Sequence, residues 1–532
     1  MLNRTLTLSL FLLAACGGDG RDADAEFPPR LLVVGWDGAT FDLVDPLVQA
    51  GKLPNLARLI ATGRSANLES TAIPISSAAW TTATTGKEPG ETGIYSFLQP
   101  EPDSYDVRVV SAQDNQGIPI WRTLTARGHQ VIVWGVPLTF PPEPVAGVMV
   151  SGMLSPLEAE WTYPPELATE LRERGMVPDL GRWRSMQDLS AARIKEQLAI
   201  KEKALIEQLS NPTWSFALAV FKNLDVLSHQ RYTPALDGDA ANLLIELDAT
   251  LGRLIEAAGP DTNVVVMSDH GFSTYPMIVD IDSWLTSAGF AVRQPDAVLN
   301  ERNLAPLAEA RVSQRAERLG RLDMSQTRAF ATTAEGNFAA IRLNVVGREA
   351  EGSVPGDERD AVLAELEAAL KSIEQPAGTP VVRQTWRGHE LYPGQSSERV
   401  VPDLIVEFEP EWRAIATGLR EPFSRARRPF PEHKRSGICI VSGPTIAPNP
   451  AREDWKIRDI TPLALHLLDE VIPSDLPGDP HAELLRTPRS AMRIDPAKDP
   501  SLRSTKEAFE GLPAPAESAE IKAALKSMGY GE

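Results

Sequence analysis

Short runs of β-branched and apolar residues recur along the chain and alternate with segments that have helical spacing. The runs lie at residues 31–36, 130–134, 214–221, 263–267, 403–408 and 438–441. Continuous apolar runs are typical of strands buried on both faces, as in a parallel sheet covered by helices. The pattern therefore predicts an α/β fold with a central, mostly parallel sheet and helices on both of its faces.

The segments between the runs carry apolar stripes that predict amphipathic helices. Four leucines between residues 244 and 254 follow helical spacing, and Gly259 ends that segment. An earlier helix has Pro54 in its first turn and Gly63 at its end. A third helical pattern covers residues 361–373. These stripes are assigned to the hydrophobic core rather than to a cofactor site.

The length of 532 residues is compatible with one large domain that contains an insert. We predict a main domain at residues 29–485 and an inserted subdomain at roughly 280–400. Residues 486–532 are predicted to be a C-terminal extension that ends in a short helix at 518–528. The basic stretch 421–435 contains three prolines and is predicted to be a loop.

The first residues have the pattern of an export signal. Arg4 precedes a short apolar run at residues 6–13, and small residues then lead to Cys16. This run is too short to span a bilayer. The pattern resembles a bacterial lipoprotein signal, which implies removal of residues 1–15, a lipid on Cys16 and a flexible tether at 16–28. We therefore expect an exported protein of the periplasm or cell envelope, anchored to a membrane. A plain secretory signal or an unstructured start is the alternative.

Composition and charge narrow the classes of function. Hydrophobic residues make up 42% of the chain, which is a globular value and argues against a protein with many membrane spans. The net charge of −19 lacks the positive field that nucleic-acid binding requires, so no nucleic-acid partner is expected. An anionic substrate would have to be attracted locally, for instance by bound cations. Cys439 lies in an apolar run and is predicted to be a core residue.

Acidic residues and histidines follow the predicted strands at the sheet edge where open α/β sheets bind ligands. They are Asp37, Asp225 with His229 four residues later, Asp269 with His270, and His433 before the last run. Each residue alone is more often a cap, a turn residue or a core residue. Together they supply six ligands of the kind that hold two divalent cations.

A hydroxyl-rich segment at residues 71–90 reads TAIPISSAAWTTATTGKEPG and follows Asp37 in the chain. At these residues the sequence resembles the alkaline phosphatase superfamily, specifically the type I phosphodiesterase and nucleotide pyrophosphatase branch. That branch has a Thr or Ser nucleophile ten residues before the Gly of a Thr-Gly pair, and Ser76 and Gly86 fill these positions. The resemblance continues through the Asp225, Asp269 and His433 motifs and covers about residues 29–480.

This resemblance implies an alkaline-phosphatase-like fold and a two-metal phosphohydrolase. One ion would be held by Asp37, Asp269, His270 and the oxygen of Ser76, and the other by Asp225, His229 and His433. Zinc is the expected metal, and manganese also fits these ligands. Ser76 would attack a phosphomonoester or phosphodiester, and water would release the phosphoseryl enzyme. The expected partner is a phosphate- or phosphonate-ester small molecule or an envelope component.

Several alternatives stay open at this point. Ser77 is adjacent to Ser76, and both serines could instead cap a helix. The enzyme could transfer a phosphoryl or phosphonate group to an alcohol, or the chain could be a non-catalytic binding lipoprotein. Phe97 stands where nucleotide pyrophosphatases have an Asn that contacts phosphate. We therefore expect a diester or phosphonate-like substrate with an apolar group rather than a nucleotide.

Three related or superficially similar enzyme classes fit less well. The Gly86-Lys87 pair lacks the flanking residues of a phosphate-binding ATPase loop. Sulfatases need Pro and Arg where Ala78 and Trp80 follow Ser76. A phosphoglycerate mutase relative is conceivable, but an exported lipoprotein has little access to glycolytic intermediates.

Overall fold

A computed structural model describes residues 29–101, 103–178, 191–294, 318–375, 378–393 and 400–510. The expected signal at 1–15, Cys16, the tether at 16–28 and the C-terminal helix at 518–528 lie outside these residues. Within them, no helix has the length and apolar character needed to cross a membrane.

Twenty strands are present in the described part of the chain. They are β1 (Arg30–Trp36), β2 (Arg64–Glu69), β3 (Leu98–Pro100), β4 (Val107–Val109), β5 (Val131–Trp134), β6 (Gly147–Val150), β7 (Thr162–Tyr163), β8 (Phe216–Phe221), β9 (Thr262–Met267), β10 (Gly271–Asp280), β11 (Ala329–Glu335), β12 (Phe338–Leu343), β13 (Val382–Arg387), β14 (Leu404–Phe408), β15 (Trp412–Ile415), β16 (Phe423–Lys434), β17 (Ser436–Ser442), β18 (Arg452–Lys456), β19 (Ile472–Pro473) and β20 (Arg493–Ile494).

The α-helices of the same residues lie between these strands. They are α1 (Phe41–Gln49), α2 (Pro54–Thr62), α3 (Ser76–Thr85), α4 (Pro89–Thr92), α5 (Ile120–Ala126), α6 (Glu166–Glu173), α7 (Ala191–Leu209), α8 (Asn223–Arg231), α9 (Asp239–Ala258), α10 (Ile281–Ser287), α11 (Arg359–Lys371), α12 (Gly388–Leu391), α13 (Ile460–Leu467) and α14 (Thr505–Ala508). The predicted helices at Pro54, at 244–254 and at 361–373 are confirmed as α2, α9 and α11.

A nine-stranded sheet forms the centre of the molecule, in the order β18-β2-β17-β9-β1-β8-β5-β6-β7. Strands β17 and β7 run antiparallel to their neighbours, and the other seven strands share one direction. Alternate residues of β1 point to opposite faces, so Leu32 and Val34 enter one core and Leu31 and Val33 another. Helices cover both faces, which confirms the predicted α/β fold.

Two smaller sheets are formed by the part of the chain between β9 and β17, two neighbouring strands of the central sheet. The chain leaves it after β9 and returns with β17. Between them, β15-β10-β16 form a three-stranded sheet and β11-β12-β14-β13 an antiparallel four-stranded sheet, against which α11 packs. The predicted insert at roughly 280–400 lies inside this excursion, and its boundaries as a separate subdomain stay a prediction, as do the main-domain and extension boundaries at 485 and 486.

Three expectations need correction. The predicted loop at 421–435 is wrong, because most of it is strand β16, whose pairing with β10 extends to Lys434. The run at 403–408 is a strand but belongs to the four-stranded sheet. The run at 438–441 lies in the central sheet as the antiparallel strand β17. Apolar periodicity reports burial and does not report strand direction or partner, which explains the last two differences.

Candidate functional site

The predicted site residues meet at the carboxyl ends of the parallel strands β1, β8 and β9. Asp37 follows β1 directly, Asp225 and His229 lie on α8 after β8, and Asp269 and His270 follow β9. His433 comes from β16, where it pairs with Phe272 of β10. The edge of the sheet that sequence reasoning selected is therefore the one at which the structure gathers these side chains.

Two groups of ligand-type side chains result. Asp37, Asp269 and His270 form the first group, and Asp225, His229 and His433 form the second; within each group the ligand atoms lie within 4.8 Å of one another. The imidazoles of His270 and His433 stack with ring centroids 3.7 Å apart, so the two groups are adjacent. We call them the first and the second ligand group.

Ser76 lies beside the first ligand group. It is the first residue of α3, and its hydroxyl Oγ is 3.3 Å from His270 Nε2. The cap of α3 is Ile75, and no side chain caps the helix. The hydroxyl of Ser77 is buried without a hydrogen-bond partner among the described residues. The alternative in which the serines merely cap the helix therefore has no support in the geometry.

The two ligand groups contain three buried carboxylates, and one buried ammonium group lies beside them. Burial raises the pKa of Asp37 well above its usual range, and the Asp269 carboxylate adds to the shift. Burial and the Asp225 charge raise the pKa of Asp269 to about 7. Burial alone would raise the pKa of Asp225 too, but the Lys222 ammonium and His229 lower it well below its usual range. Negative charge is thus least compensated at the first ligand group.

The histidines divide into two neutral ones and one basic one. Burial lowers the pKa of His270 to about 4. Burial, together with the repulsion that a protonated His270 would exert, lowers the pKa of His433 to about 3. Burial would lower the pKa of His229 as well, but Asp225 and Glu432 raise it to about 9. Neutral imidazoles at His270 and His433 keep a nitrogen lone pair for a cation.

The donor set fits divalent cations. Asp37 Oδ1 and both carboxylate oxygens of Asp269 are buried and accept no hydrogen bond from the residues that the structure describes. Buried carboxylate oxygens of this kind are costly unless a cation compensates them. Nitrogen and oxygen donors together suit zinc and manganese. Asp37, Asp269 and His270 could hold one ion and Asp225, His229 and His433 a second.

Sequence reasoning missed several residues that contact the ligand groups. Trp80 Nε1 donates a hydrogen bond of 2.9 Å to Asp37 Oδ2, and Lys222 Nζ donates one of 3.2 Å to Asp225 Oδ2. Glu432 and Glu335 lie next to histidines of the second ligand group. Lys222 precedes Asp225 by three residues and Glu432 is adjacent to His433, so both could have been found from spacing. No signal in the sequence indicates Glu335.

Two residues singled out from the sequence lie in the hydrophobic core. Cys439 is fully buried in β17, as predicted. Phe97 is fully buried in a cluster with Ile73, Ile75 and Phe338. The position at which nucleotide pyrophosphatases were expected to place a phosphate-binding Asn is thus filled by an apolar packing residue.

Comparison with known proteins identifies the family. The family model described as type I phosphodiesterase / nucleotide pyrophosphatase matches residues 31–430. The chain belongs to this family. The resemblance found in the sequence is confirmed, and the chain is a member of a family of phosphodiesterases and pyrophosphatases. No curated protein matches it.

Solved structures with a similar fold agree with the family assignment. Phosphonoacetate hydrolase from Sinorhizobium meliloti 1021, in complex with phosphonoformate, has a TM-score of 0.55 and 16% sequence identity, covering 83% of this chain and 96% of that chain. Human ectonucleotide pyrophosphatase / phosphodiesterase 5 has a TM-score of 0.51 and 15% identity, covering 86% and 100%. An inactive threonine-to-alanine variant of the murine protein, in complex with AMP, has a TM-score of 0.51, 14% identity and the same coverage. The alkaline-phosphatase-like fold is confirmed.

Proposed function

We propose that this family member hydrolyses phosphodiesters or phosphonate esters through a phosphoseryl intermediate, with two divalent cations held by the two ligand groups. The observation that carries the proposal is the position of Ser76 Oγ, 3.3 Å from His270 Nε2 and beside the least compensated carboxylates of the site. A buried hydroxyl beside a cation site is the arrangement of an activated nucleophile.

Each step of the proposed reaction uses a residue of this chain. The Ser76 oxygen forms a bond to phosphorus while the bond from phosphorus to the leaving oxygen breaks, and the proton that the serine loses ends on the leaving oxygen. Water then attacks the phosphoseryl group, the bond from phosphorus to Ser76 Oγ breaks, and the serine regains a proton. Cations held by the two ligand groups would supply electrostatic stabilisation of the phosphoryl oxygens and of the entering and leaving oxygens.

The surrounding residues hold the reacting groups in place. The hydrogen bond from Trp80 orients Asp37, and the ion pair with Lys222 occupies Asp225 Oδ2, leaving Oδ1 toward His433 at 3.0 Å. The site is fully buried at Asp37, Asp269, His270 and His433. Low water access strengthens each electrostatic contact made to a bound phosphoryl group.

The proposed substrate class is supported by the relatives and by the residue at position 97. The two structural relatives bind phosphonoformate and AMP, so the fold accepts both phosphonates and phosphate esters. Because Phe97 stands where nucleotide pyrophosphatases have a phosphate-binding Asn and packs in the core here, the nucleotide specificity of that branch is not carried over. We propose instead a diester or phosphonate-like substrate with an apolar group. We further propose that the enzyme works outside the cytoplasm, anchored by a lipid on Cys16, a residue beyond those the structure describes.

Metal analysis combined with a substrate panel tests this function. We expect two zinc or manganese ions per chain, loss of activity with a chelator, and recovery when the metal is returned. Activity should be higher on diesters and phosphonates than on monoesters. Full activity of the metal-free protein would disprove the cation mechanism, and a strong preference for monoesters would disprove the substrate assignment.

A pair of variants separates loss of metal from loss of fold. Asp269→Asn should lower the metal content and the rate together. Asp248→Asn is the matched control, because Asp248 is an equally buried carboxylate that accepts hydrogen bonds from Asn55 and Leu56 and lies outside both ligand groups. Asp248→Asn should lower the melting temperature while the folded protein keeps both ions.

A further inference from the structure

Two buried carboxylates lie behind the histidines of the second ligand group. Glu432 Oε1 is 3.3 Å from His229 Nδ1, and Glu335 Oε1 is 3.4 Å from His433 Nδ1. The two Glu residues are buried, with 1% and 6% of the surface of Glu432 and Glu335 exposed. Neither glutamate belongs to the ligand set that the sequence predicts, and both come from the two smaller sheets.

The opposite ring nitrogens of these histidines converge on the cation site. His433 Nε2 is 2.9 Å from His229 Nε2 and 3.0 Å from Asp225 Oδ1, and His229 Nε2 is 3.3 Å from the same oxygen. The Nδ1 atoms therefore face the glutamates, while the Nε2 atoms face Asp225. At His229 the Glu432 carboxylate beside Nδ1 favours the tautomer with its proton on Nδ1 and leaves the Nε2 lone pair for a cation. At His433 the carbonyl oxygen of Pro74, 2.9 Å from Nδ1, accepts that proton, and Glu335 adds a negative charge beside it.

Glu432 is itself fixed by an arginine. Arg413 of β15 donates hydrogen bonds of 2.8 and 3.2 Å from two nitrogens to Glu432 Oε2. Arg413 is buried as well, so this pair is held away from water. Since Oε2 is bound to the arginine, Oε1 is the oxygen that stays directed at His229.

Glu335 reaches His433 because the hairpin between β11 and β12 approaches very closely. Gly336 follows Glu335 with φ of +54°, and a Cβ at this position would lie 2.2 Å from the carbonyl oxygen of His433. The carbonyl of Gly336 accepts a hydrogen bond of 2.8 Å from the backbone N–H of Ala414. Only glycine permits this approach at both the torsion angle and the distance.

We propose that Glu432 and Glu335 are positioning residues for the second cation, and that the two smaller sheets serve to deliver them. Glu432 orients His229, and Glu335 holds the proton of His433 on Nδ1 through its charge, beside the Pro74 carbonyl that accepts that proton. The inference rests on the proposed two-cation function. The segment of the chain between β9 and β17 then has a role in the chemistry, because it supplies His433 and both carboxylates behind the histidines. The first ligand group receives no contact of this kind from the described residues of the smaller sheets.

A third cation held by Glu335, Glu432 and His433 is a competing explanation, since their ligand atoms also lie within 4.8 Å of one another. The geometry favours positioning. His433 Nδ1 lies 2.9 Å from the carbonyl oxygen of Pro74, which can only accept, so Nδ1 carries the proton and has no lone pair for a cation.

The test measures the affinity of each ion separately. Metal-free protein is titrated with zinc against a chelating indicator, and cobalt-loaded protein provides the absorption spectrum of the second site. Glu432→Gln and Glu335→Gln should each weaken the second ion by about 10- to 100-fold, as loss of a partner behind a metal ligand does elsewhere. The first ion should keep its wild-type affinity, whereas general damage to the fold would weaken both ions.

Two further variants keep the test decisive. Glu407→Gln is the matched control, because Glu407 lies on β14 of the same four-stranded sheet and contacts Arg383 at 3.9 Å rather than a histidine. It should leave both affinities unchanged. Gly336→Ala changes no charge but displaces the hairpin, and it should weaken the second ion as Glu335→Gln does, even if one glutamine variant does not fold.

The possible outcomes distinguish a failure of the positioning role from a failure of the proposed two-cation function. Two ions in the wild type and wild-type affinity for the second ion in both glutamine variants would overturn the inference and leave the function intact. Three ions in the wild type, with one lost in Glu335→Gln, would establish the third site instead. A wild type that binds no ions would overturn the proposed function itself.

Discussion

Replacing Ser76 by alanine is the sharpest test of the proposed nucleophile. The structure assigns the hydroxyl one side-chain contact, His270 Nε2 at 3.3 Å, and no capping role in α3. Its removal should therefore cost only about 1 kcal/mol of the free energy of unfolding, the usual contribution of one hydrogen bond. A domain with ordinary stability of about 5 to 15 kcal/mol stays folded after such a loss.

The effect on catalysis should be far larger. Removal of a nucleophilic serine lowers kcat by at least about 10,000-fold in well-studied hydrolases. Each tenfold loss corresponds to about 1.36 kcal/mol of activation free energy, so the expected change is about 5.5 kcal/mol or more. A large loss of rate beside a small loss of stability would identify Ser76 as the reacting group rather than as a residue that stabilises α3.

Ser77→Ala is the matched control. The Ser77 hydroxyl is buried and has no hydrogen-bond partner among the described residues, so alanine should be neutral or slightly stabilising. Steady-state kinetics on a diester, calorimetric melting and metal content are measured for both variants. A nearly wild-type rate in Ser76→Ala, with folded and metal-loaded protein, would refute the assignment, and an inactive Ser77→Ala beside it would show that the neighbouring serine is the nucleophile.

Three further predictions concern stability, pH and anchoring. Asp403 accepts hydrogen bonds from Arg348 and Arg359. Burial alone would raise the pKa of Asp403, but Arg348 lowers it. The contribution of Asp403 to the free energy of unfolding is therefore complete above about pH 4 and is lost as the pH falls through the lowered pKa. Asp403→Asn should cost about 3 kcal/mol in urea unfolding at pH 7 and flatten the acid-side decline, and an unchanged decline would contradict this. Leu247→Ala should cost about 2 to 5 kcal/mol, because Leu247 is fully buried in α9; a loss below 1 kcal/mol in the same assay would contradict it. Cys16→Ser should release the protein from membranes on fractionation, and unchanged retention would remove the lipid anchor from the proposal.

The elements that could be predicted from the sequence are those whose burial alone determines them. Strands β1, β8 and β9 are buried almost throughout, and their apolar runs stand out without knowledge of partners. Strand β16 was mistaken for a loop because it has Pro429, Pro431 and several exposed arginines. It lies at the edge of its sheet beside β10, where prolines and charged residues are tolerated.

The candidate site was predictable where chemistry depends on local spacing. Asp225 with His229, and Asp269 with His270, are close in sequence and therefore visible as pairs. Glu335 could not be found in this way, since its contact with His433 depends on the approach of a distant hairpin at Gly336. Packing between distant segments determines such contacts, and a single sequence carries no spacing that reports them.

The placement of β17 has a consequence for how the chain folds. This strand fills the space between β9 and β2, although β9 ends at Met267 and β17 begins only at Ser436. A nascent chain that has been made only as far as β16 would expose the unpaired edge of β9, whose apolar residues favour association with other chains. Contacts of such long range close slowly, and Asp225 and His433 are separated by 208 positions along the chain. We therefore expect the second ligand group to form late, and cation binding there would report that β16 has docked against α8.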